Sequence, residues 1–245
     1  MDQPITNNQK TEEVKSVLKG VLNEQANTWN AKAREKLTFR KLLELEWLHD
    51  GTFVKSDKKF IDNLKSLYFS YQQTSFTTSS MVEDYYVVHE IFGPKQSPDY
   101  MFITPKGFFG IEDKSGKNGN IEWNTGSPGE NKIITFFHKK EKTVHLISSY
   151  EYNWTIERQI KYKELKKDVI DYGYRKWAEM YPNSNEKVLQ KMTYYARPML
   201  RDANKVVDLY DPEEKGVNKI LNQFFDENTP IDPIDPMIGG QLSLF

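Results

Sequence analysis

The N-terminal part of the chain carries apolar residues at helical spacing. Between residues 10 and 50 they recur at steps of three and four, which is the period of one face of an α-helix. Residues 60–68 repeat this spacing, and Ser56-Asp57 just before them can cap a helix. The segment Met81–Phe92 predicts a further helix. We therefore expect a helical N-terminal region over about residues 1–78.

The pattern then changes to short aromatic and β-branched runs. Asp99–Thr104 and Phe108–Lys114 flank Pro105-Lys106-Gly107, which is turn chemistry, and together they predict a β-hairpin. Lys132–Phe137 and Thr143–Ser149 have the same character. The sequence therefore predicts a mixed β-sheet of at least four strands.

The C-terminal third returns to helical spacing before it ends in a proline-rich stretch. A long helix with one basic face is predicted from Trp154 to about Tyr181, and a shorter one over Gly216–Phe225. The acidic residues after it are punctuated by prolines, so 229–245 predict an extended tether and tail. The predicted fold class is α/β (α+β), a central mixed sheet flanked by helices, in one domain over 1–228 with its core at 79–228.

The amino-acid composition excludes several classes of protein. The 245 residues include no cysteine, which excludes disulfide scaffolds and thiolate chemistry, and the formal net charge is only -1. No long uncharged apolar run and no signal-peptide pattern are present, so we expect no membrane partner and a cytoplasmic location. The four histidines fall in different predicted elements without metal-binding spacing, and we interpret them as structural.

The predicted hairpin concentrates charged side chains on one face. Because strand residues alternate, Glu112 and Lys114 point to one face and Asp113 to the other. A two-residue turn would place Asp99 directly opposite Glu112, with their Cβ atoms about 4.5–5.5 Å apart. A three-residue turn would shift that pairing by one residue.

Two carboxylates at this separation repel each other unless a cation lies between them. Mg²⁺ suits such a pair, since it needs few protein oxygens and keeps several waters. A bound Mg²⁺ would polarise a phosphoryl oxygen and acidify a water, while Lys114 could orient that water or stabilise negative charge. The arrangement indicates phosphodiester hydrolysis. The alternative is a surface hairpin with an ordinary Glu112–Lys114 ion pair.

These residues resemble a known motif. Pro98-Asp99, twelve intervening residues and Glu112-Asp113-Lys114 are similar to the PD-(D/E)xK motif of the nuclease superfamily that includes most type II restriction endonucleases. The resemblance implies a restriction-endonuclease-like core. It also implies that Asp99, Glu112 and the carbonyl of Asp113 bind Mg²⁺ and that Lys114 serves the attacking water.

The same resemblance implies further residues and partners. The superfamily often adds a glutamate from the preceding helix, and Glu83 is the expected residue, with Glu90 as the less favoured alternative. The partner would be double-stranded DNA in a bacterial or phage-infected cell. Two copies related by a two-fold axis most simply cut both strands of a symmetric site, so a homodimer is expected.

A polar loop after the motif strand supplies candidate DNA contacts, because amides and hydroxyls bond bases and lysines bond phosphates. The candidates are Lys117, Asn124, Thr125, Ser127, Asn131 and Lys132. An ordinary glycine-rich turn is the alternative for any one of them.

The last five residues, Gln241-Leu242-Ser243-Leu244-Phe245, resemble the bacterial sliding-clamp-binding pentapeptide. Gln241, Leu242, Leu244 and Phe245 would then contact a clamp, or the apolar pair could dock on the chain's own domain.

Three functions remain open at this stage. The first is a Mg²⁺-dependent, sequence-specific DNA endonuclease of restriction type. The second is a clamp-recruited repair or defence nuclease of the same superfamily. The third is a non-catalytic adaptor that binds DNA or a clamp.

Overall fold

A computed structural model describes most of the chain. The described residues are 5–24, 31–70, 82–94, 96–117, 119–123, 132–152, 156–180, 200–201, 210–226 and 228–230. The tether beyond residue 230 and the pentapeptide therefore lie outside the described residues, as do Asn124, Thr125, Ser127 and Asn131.

Five α-helices are described, and four of them agree closely with the periodicity of the sequence. They are α1 (Asn7–Glu24), α2 (Ala31–Leu42), α3 (Lys58–Ser70), α4 (Ile156–Met180) and α5 (Lys215–Phe225). The Asp57 side chain caps α3 by accepting a hydrogen bond from the Phe60 amide, at 3.0 Å. The helical spacing seen over residues 10–50 ends with α2 at Leu42, and Leu48 begins a strand. None of the described helices has the length and apolar character needed to cross a membrane.

The strands form a six-stranded mixed sheet and a small two-stranded one. They are β1 (Leu48–Asp50), β2 (Tyr85–His89), β3 (Tyr100–Thr104), β4 (Gly107–Gly116), β5 (Glu122–Trp123), β6 (Lys132–His138), β7 (Thr143–Ser148) and β8 (Leu200–Arg201). The main sheet has the order β1-β2-β3-β4-β6-β7, and β5 pairs with β8. The β1–β2 and β4–β6 pairs are parallel, whereas β2–β3, β3–β4 and β6–β7 are antiparallel. The predicted mixed sheet flanked by helices is confirmed.

The register of the β3–β4 hairpin is the one that a two-residue turn gives. Thr104 pairs with Gly107, and the ladder continues to Tyr100 opposite Ile111. Gly107 has φ 149°, a conformation that glycine adopts without steric cost. One further step along this register places Asp99 opposite Glu112.

The prediction of a helix over Met81–Phe92 is wrong, because Tyr85–His89 form strand β2. Val87 and Val88 are both fully buried, one on each face of the sheet. A strand buried on both faces has a continuous apolar run rather than strict alternation, and such a run can be mistaken for a helix segment.

Helices cover both faces of the main sheet. On one face, α1, α2 and α5 pack against β2, β3, β4, β6 and β7, with an aromatic group at the centre. On the other face, α3 packs against β2, β3 and β4. Phe225 of α5 contacts four rings of the first core, with centroid distances of 5.3–6.3 Å, to Trp47, Tyr85, Phe102 and Phe109.

The end of α5 is tied to the turn of the hairpin. Lys106, in that turn, donates hydrogen bonds to the main-chain carbonyls of Asp226, at 2.6 Å, and Thr229. The chain after Phe225 therefore passes the end of the hairpin that lies opposite Asp99.

We expect Phe225→Ala to lower the free energy of unfolding by about 3–5 kcal/mol, because it removes a fully buried ring from this cluster. Chemical denaturation measures the effect. Phe53→Ala is the matched control, since Phe53 is 57% exposed, and it should cost less than about 1 kcal/mol. Equal losses for the two variants would contradict this description of the core.

Candidate functional site

The hairpin brings the motif residues together at its open end. Asp99 and Glu112 stand opposite each other on the face that α3 partly covers, and Lys114 follows on the same face of β4. The Lys114 ammonium donates a hydrogen bond to Glu112 Oε1. Glu112 is only 4% exposed, and its second oxygen, Oε2, has no close hydrogen-bond partner among the described residues. A buried carboxylate oxygen without a hydrogen bond is costly, so a water, an ion or a ligand group is needed to satisfy it.

Gly110 allows the loop before β3 to approach β4. A Cβ atom at this position would lie 2.8 Å from the Tyr68 hydroxyl and 2.9 Å from Pro98 Cβ. Because glycine leaves that space empty, Pro98 and Tyr68 can both pack on β4. This close approach places Asp99 beside Glu112.

The side chain of Asp113 points to the other face of the sheet, as strand alternation predicts. Its oxygens accept a hydrogen bond from Thr135 and lie 3.1 Å from the Tyr100 hydroxyl, and Arg34 Nε of α2 is 3.7 Å away. Burial raises the pKa of Asp113, while Arg34, Thr135 and Tyr100 oppose the rise. The Asp113 carboxylate therefore belongs to the core and is separated by the sheet from Asp99 and Glu112.

The main chain of Asp113 faces the site instead. Its N–H donates to Asp99 Oδ2, at 2.7 Å. The N–H and C=O of one strand residue point to the same side, so the carbonyl also faces the loop before β3. The paired residues of the hairpin end at Tyr100 and Ile111, so Asp113 lies beyond the last pair of this ladder. The Asp113 carbonyl is therefore a candidate third oxygen ligand beside Asp99.

The two opposed carboxylates differ in protonation. Burial raises the pKa of Asp99 to about 9, and the charges of Glu112 and Asp113 add to the rise. Burial also acts to raise the pKa of Glu112, but Lys114 and Lys132 more than offset it, so that this pKa lies below its ordinary value. The lysines therefore favour a charge on Glu112, and without a cation the proton resides on Asp99.

The predicted helical glutamate is corrected by the structure. Glu83 is exposed and lies before β2, at the end of the strand beside the hairpin turn, roughly 15 Å or more from Asp99. Glu90 follows the other end of β2, and its N–H donates to the Asp99 carbonyl at 2.8 Å. The segment carrying Glu83 is not a helix, so the reason for choosing it fails.

A second cluster of ionisable side chains lies where α2 meets the end of β2, next to Asp99 in the sheet. Glu35 of α2, His89 and Glu90 each offer a ligand atom, and these atoms lie within 4.8 Å of one another. Glu35 Oε2 is 3.8 Å from His89 Nε2. Sequence spacing could not indicate this group, because α2 and β2 are far apart in the chain and meet only through the fold.

The predicted DNA contacts divide between surface and interior. Lys117 is exposed just after β4 and remains available to a phosphate. Lys132 is 4% exposed, which corrects the prediction that it contacts DNA phosphate from the surface. Burial lowers its pKa to about 8, while Glu112 acts in the opposite direction.

Comparison with protein-family models, with curated proteins and with solved structures finds no match to this chain.

We expect Asp99→Asn to stabilise the protein in EDTA at neutral and alkaline pH. In the folded state Asp99 keeps its proton up to a pKa of about 9, whereas in the unfolded chain it loses the proton near the ordinary pKa of 3.8. The stability of the native protein therefore falls as the pH rises from 3.8 to about 9. The asparagine has no such proton to lose and should gain roughly 1–3 kcal/mol at pH 8.

Thermal unfolding of both proteins at pH 5, 7 and 8.5 checks this expectation. The difference between them should widen with pH. A constant difference across the series would show that Asp99 ionises normally in the fold.

Proposed function

We propose that this protein is a Mg²⁺-dependent endonuclease that hydrolyses phosphodiester bonds in double-stranded DNA at specific sites, in the manner of a type II restriction enzyme. The observation that carries the proposal is the open end of the hairpin. There, two carboxylates share one face, a lysine bonds one of them, and Glu112 Oε2 has no close partner.

The residues present fit a hard divalent cation. Asp99 and Glu112 offer carboxylate oxygens, and the Asp113 carbonyl is a third oxygen on the same side, which suits an ion that keeps several waters. When bound, Mg²⁺ would supply Lewis-acid polarisation of a phosphoryl oxygen and acidify a water. The raised pKa of Asp99 supports this fit, because a nearby dication favours the ionised form that burial and like charge oppose.

Lys114 is the residue best placed to act on the reacting groups. Its side chain is 17% exposed, so its ammonium lies at the boundary between the buried carboxylates and solvent. In that position it can hold a phosphoryl oxygen or orient a water, with Glu112 fixing its direction. The pairing with Glu112 raises the pKa of Lys114 although burial opposes the rise, so the ammonium is charged at neutral pH.

The surface near the site provides positive charge for a phosphate backbone. Lys117 is exposed three residues beyond Lys114, and elsewhere in the chain α4 carries exposed lysines and two exposed arginines, Arg158 and Arg175. These contacts would make DNA binding fall steeply with salt concentration. Asn124, Thr125, Ser127 and Asn131 remain proposed contacts to bases or phosphates.

The pentapeptide at the C-terminus favours a second candidate, a nuclease of this superfamily that a sliding clamp recruits. The contacts of Lys106 with Asp226 and Thr229 support it, because they hold the start of the tether at the hairpin turn, at the other end of the strands from the carboxylates. A partner on the tail and DNA at the site could then be bound at once. The proposed homodimer is compatible with either function.

We expect purified protein to cut unmethylated phage DNA into discrete fragments with Mg²⁺ and to leave it intact with EDTA. Glu112→Gln and Lys114→Ala should lower the cleavage rate by at least about 10³-fold, since each removes a group from the reacting centre. Glu83→Gln is the matched control for the loss of a carboxylate and should cut at the normal rate. Gel electrophoresis of the products measures all four proteins.

A measurement of DNA binding shows whether a variant that does not cut DNA has lost catalysis or has failed to fold. In Ca²⁺, Glu112→Gln should retain DNA affinity that weakens with salt. Smeared products would favour the recruited nuclease over the site-specific one. Equal activity of Lys114→Ala and the wild-type protein, or no cleavage by either, would favour the non-catalytic adaptor.

A further inference from the structure

Lys132 lies inside the protein on the same face of the sheet as the acidic pair. It begins β6 opposite Gly110 in the parallel register, two residues before the partner of Glu112. Its ammonium nitrogen is 2.9 Å from the Ser97 hydroxyl oxygen and 5.9 Å from the centre of the Tyr68 ring. Lys132 is only 4% exposed, and removing an ammonium from water costs several kcal/mol. Polar or charged neighbours must offset that cost.

Ser97 connects this lysine to the site. It is 6% exposed and immediately precedes Pro98-Asp99. Its oxygen accepts a hydrogen bond from Lys132, which directs the hydroxyl hydrogen elsewhere. The hydroxyl stands near enough to the Glu112 carboxylate to favour its ionised form. Lys132, Ser97 and Glu112 thus form a short polar chain beneath the reacting face.

The chain constrains Glu112 from the side opposite Lys114. Lys114 donates to Oε1 at the solvent boundary, while the buried Ser97 and Lys132 act on the Glu112 carboxylate from within the protein. A carboxylate held from both directions keeps one orientation, in which Oε2 has no close partner. Outer groups that orient a metal-binding side chain in this way affect metal affinity without touching the metal.

We propose that Lys132 is a positioning residue, which acts through Ser97 to hold Glu112 with Oε2 available to a divalent cation. This inference rests on the proposed function, since it takes Glu112 to be a ligand of that cation. It assigns Lys132 a role inside the site in place of the expected phosphate contact.

Positioning and simple repulsion have opposite effects on metal affinity. A lysine that only repels the incoming cation would, when replaced, make the cation bind more tightly. A lysine that orients Glu112 would, when replaced, make the cation bind more weakly. The sign of the change therefore distinguishes the two roles.

The test is titration calorimetry of the full chain with Mn²⁺, which reports metal binding independently of DNA cleavage. Lys132→Met and Ser97→Ala should each weaken Mn²⁺ binding about tenfold. The double variant should bind no more weakly than Lys132→Met, because both changes interrupt one chain. Ser97→Thr keeps the hydroxyl and should bind within about threefold of the wild-type protein.

Ser149→Ala is the matched control. Ser149 is as buried as Ser97 and contacts the main chain of Lys132: its amide donates to the Lys132 carbonyl at 3.0 Å, and its hydroxyl accepts from the Lys132 amide at 3.4 Å. It should leave Mn²⁺ affinity unchanged. Thermal unfolding in EDTA identifies any variant that fails to fold, and the Ser97→Ala and Ser97→Thr pair tests the chain even if Lys132→Met does not fold.

The possible outcomes distinguish this inference from the proposed function. Unchanged affinity in Ser97→Ala, or tighter binding in Lys132→Met, would overturn the positioning role while the metal site stands. If wild-type protein binds no Mn²⁺, or Glu112→Gln binds it equally well, the proposed metal site itself is wrong, and the role of Lys132 falls with it.

Discussion

The pairing of β3 with β4 is the constraint on which the rest of the site depends. A strand register is either correct or displaced by a whole residue, and one step would turn every side chain to the opposite face. With the observed pairing, Tyr100, Phe102 and Phe109 enter one core while Met101 and Phe108 enter the other. The apolar residues on both faces therefore fix the position of Asp99 relative to Glu112. The free energy that holds the carboxylates together comes from burial elsewhere along the same strands.

The electrostatic balance at the open end follows from that enforced proximity. Asp99 and Glu112 would separate in a flexible loop, but the sheet holds them, so their repulsion must be met by protonation or by positive charge. Lys114 and Lys132 meet it from two sides of Glu112, and Arg34 acts on Asp113 across the sheet. At neutral pH Asp99 therefore keeps a proton that a carboxylate in water would have released. Strongly shifted pKa values of this kind cluster at functional sites.

Much of the fold could be predicted from the sequence, because the helices and the hairpin depend on local periodicity and turn chemistry. The face shared by Glu112 and Lys114 followed from strand alternation alone. The errors arose where several segments meet. Strand β2 is apolar on both faces, so its pattern lacks the alternation that marks a half-buried strand. The burial of Lys132 could not be foreseen either, because it depends on Tyr68 and Ser97, which reach β6 from other parts of the chain.

The contact of Lys106 with the chain after α5 has a practical consequence for handling the molecule. Residues 226–230 leave the domain beside the hairpin turn, about 16 Å along the strands from Asp99. A biotin attached at position 230, which is exposed, would lie at that end. Protein immobilised on a sensor surface through that position would be attached at the end of the hairpin opposite its carboxylates, which leaves them distant from the point of attachment.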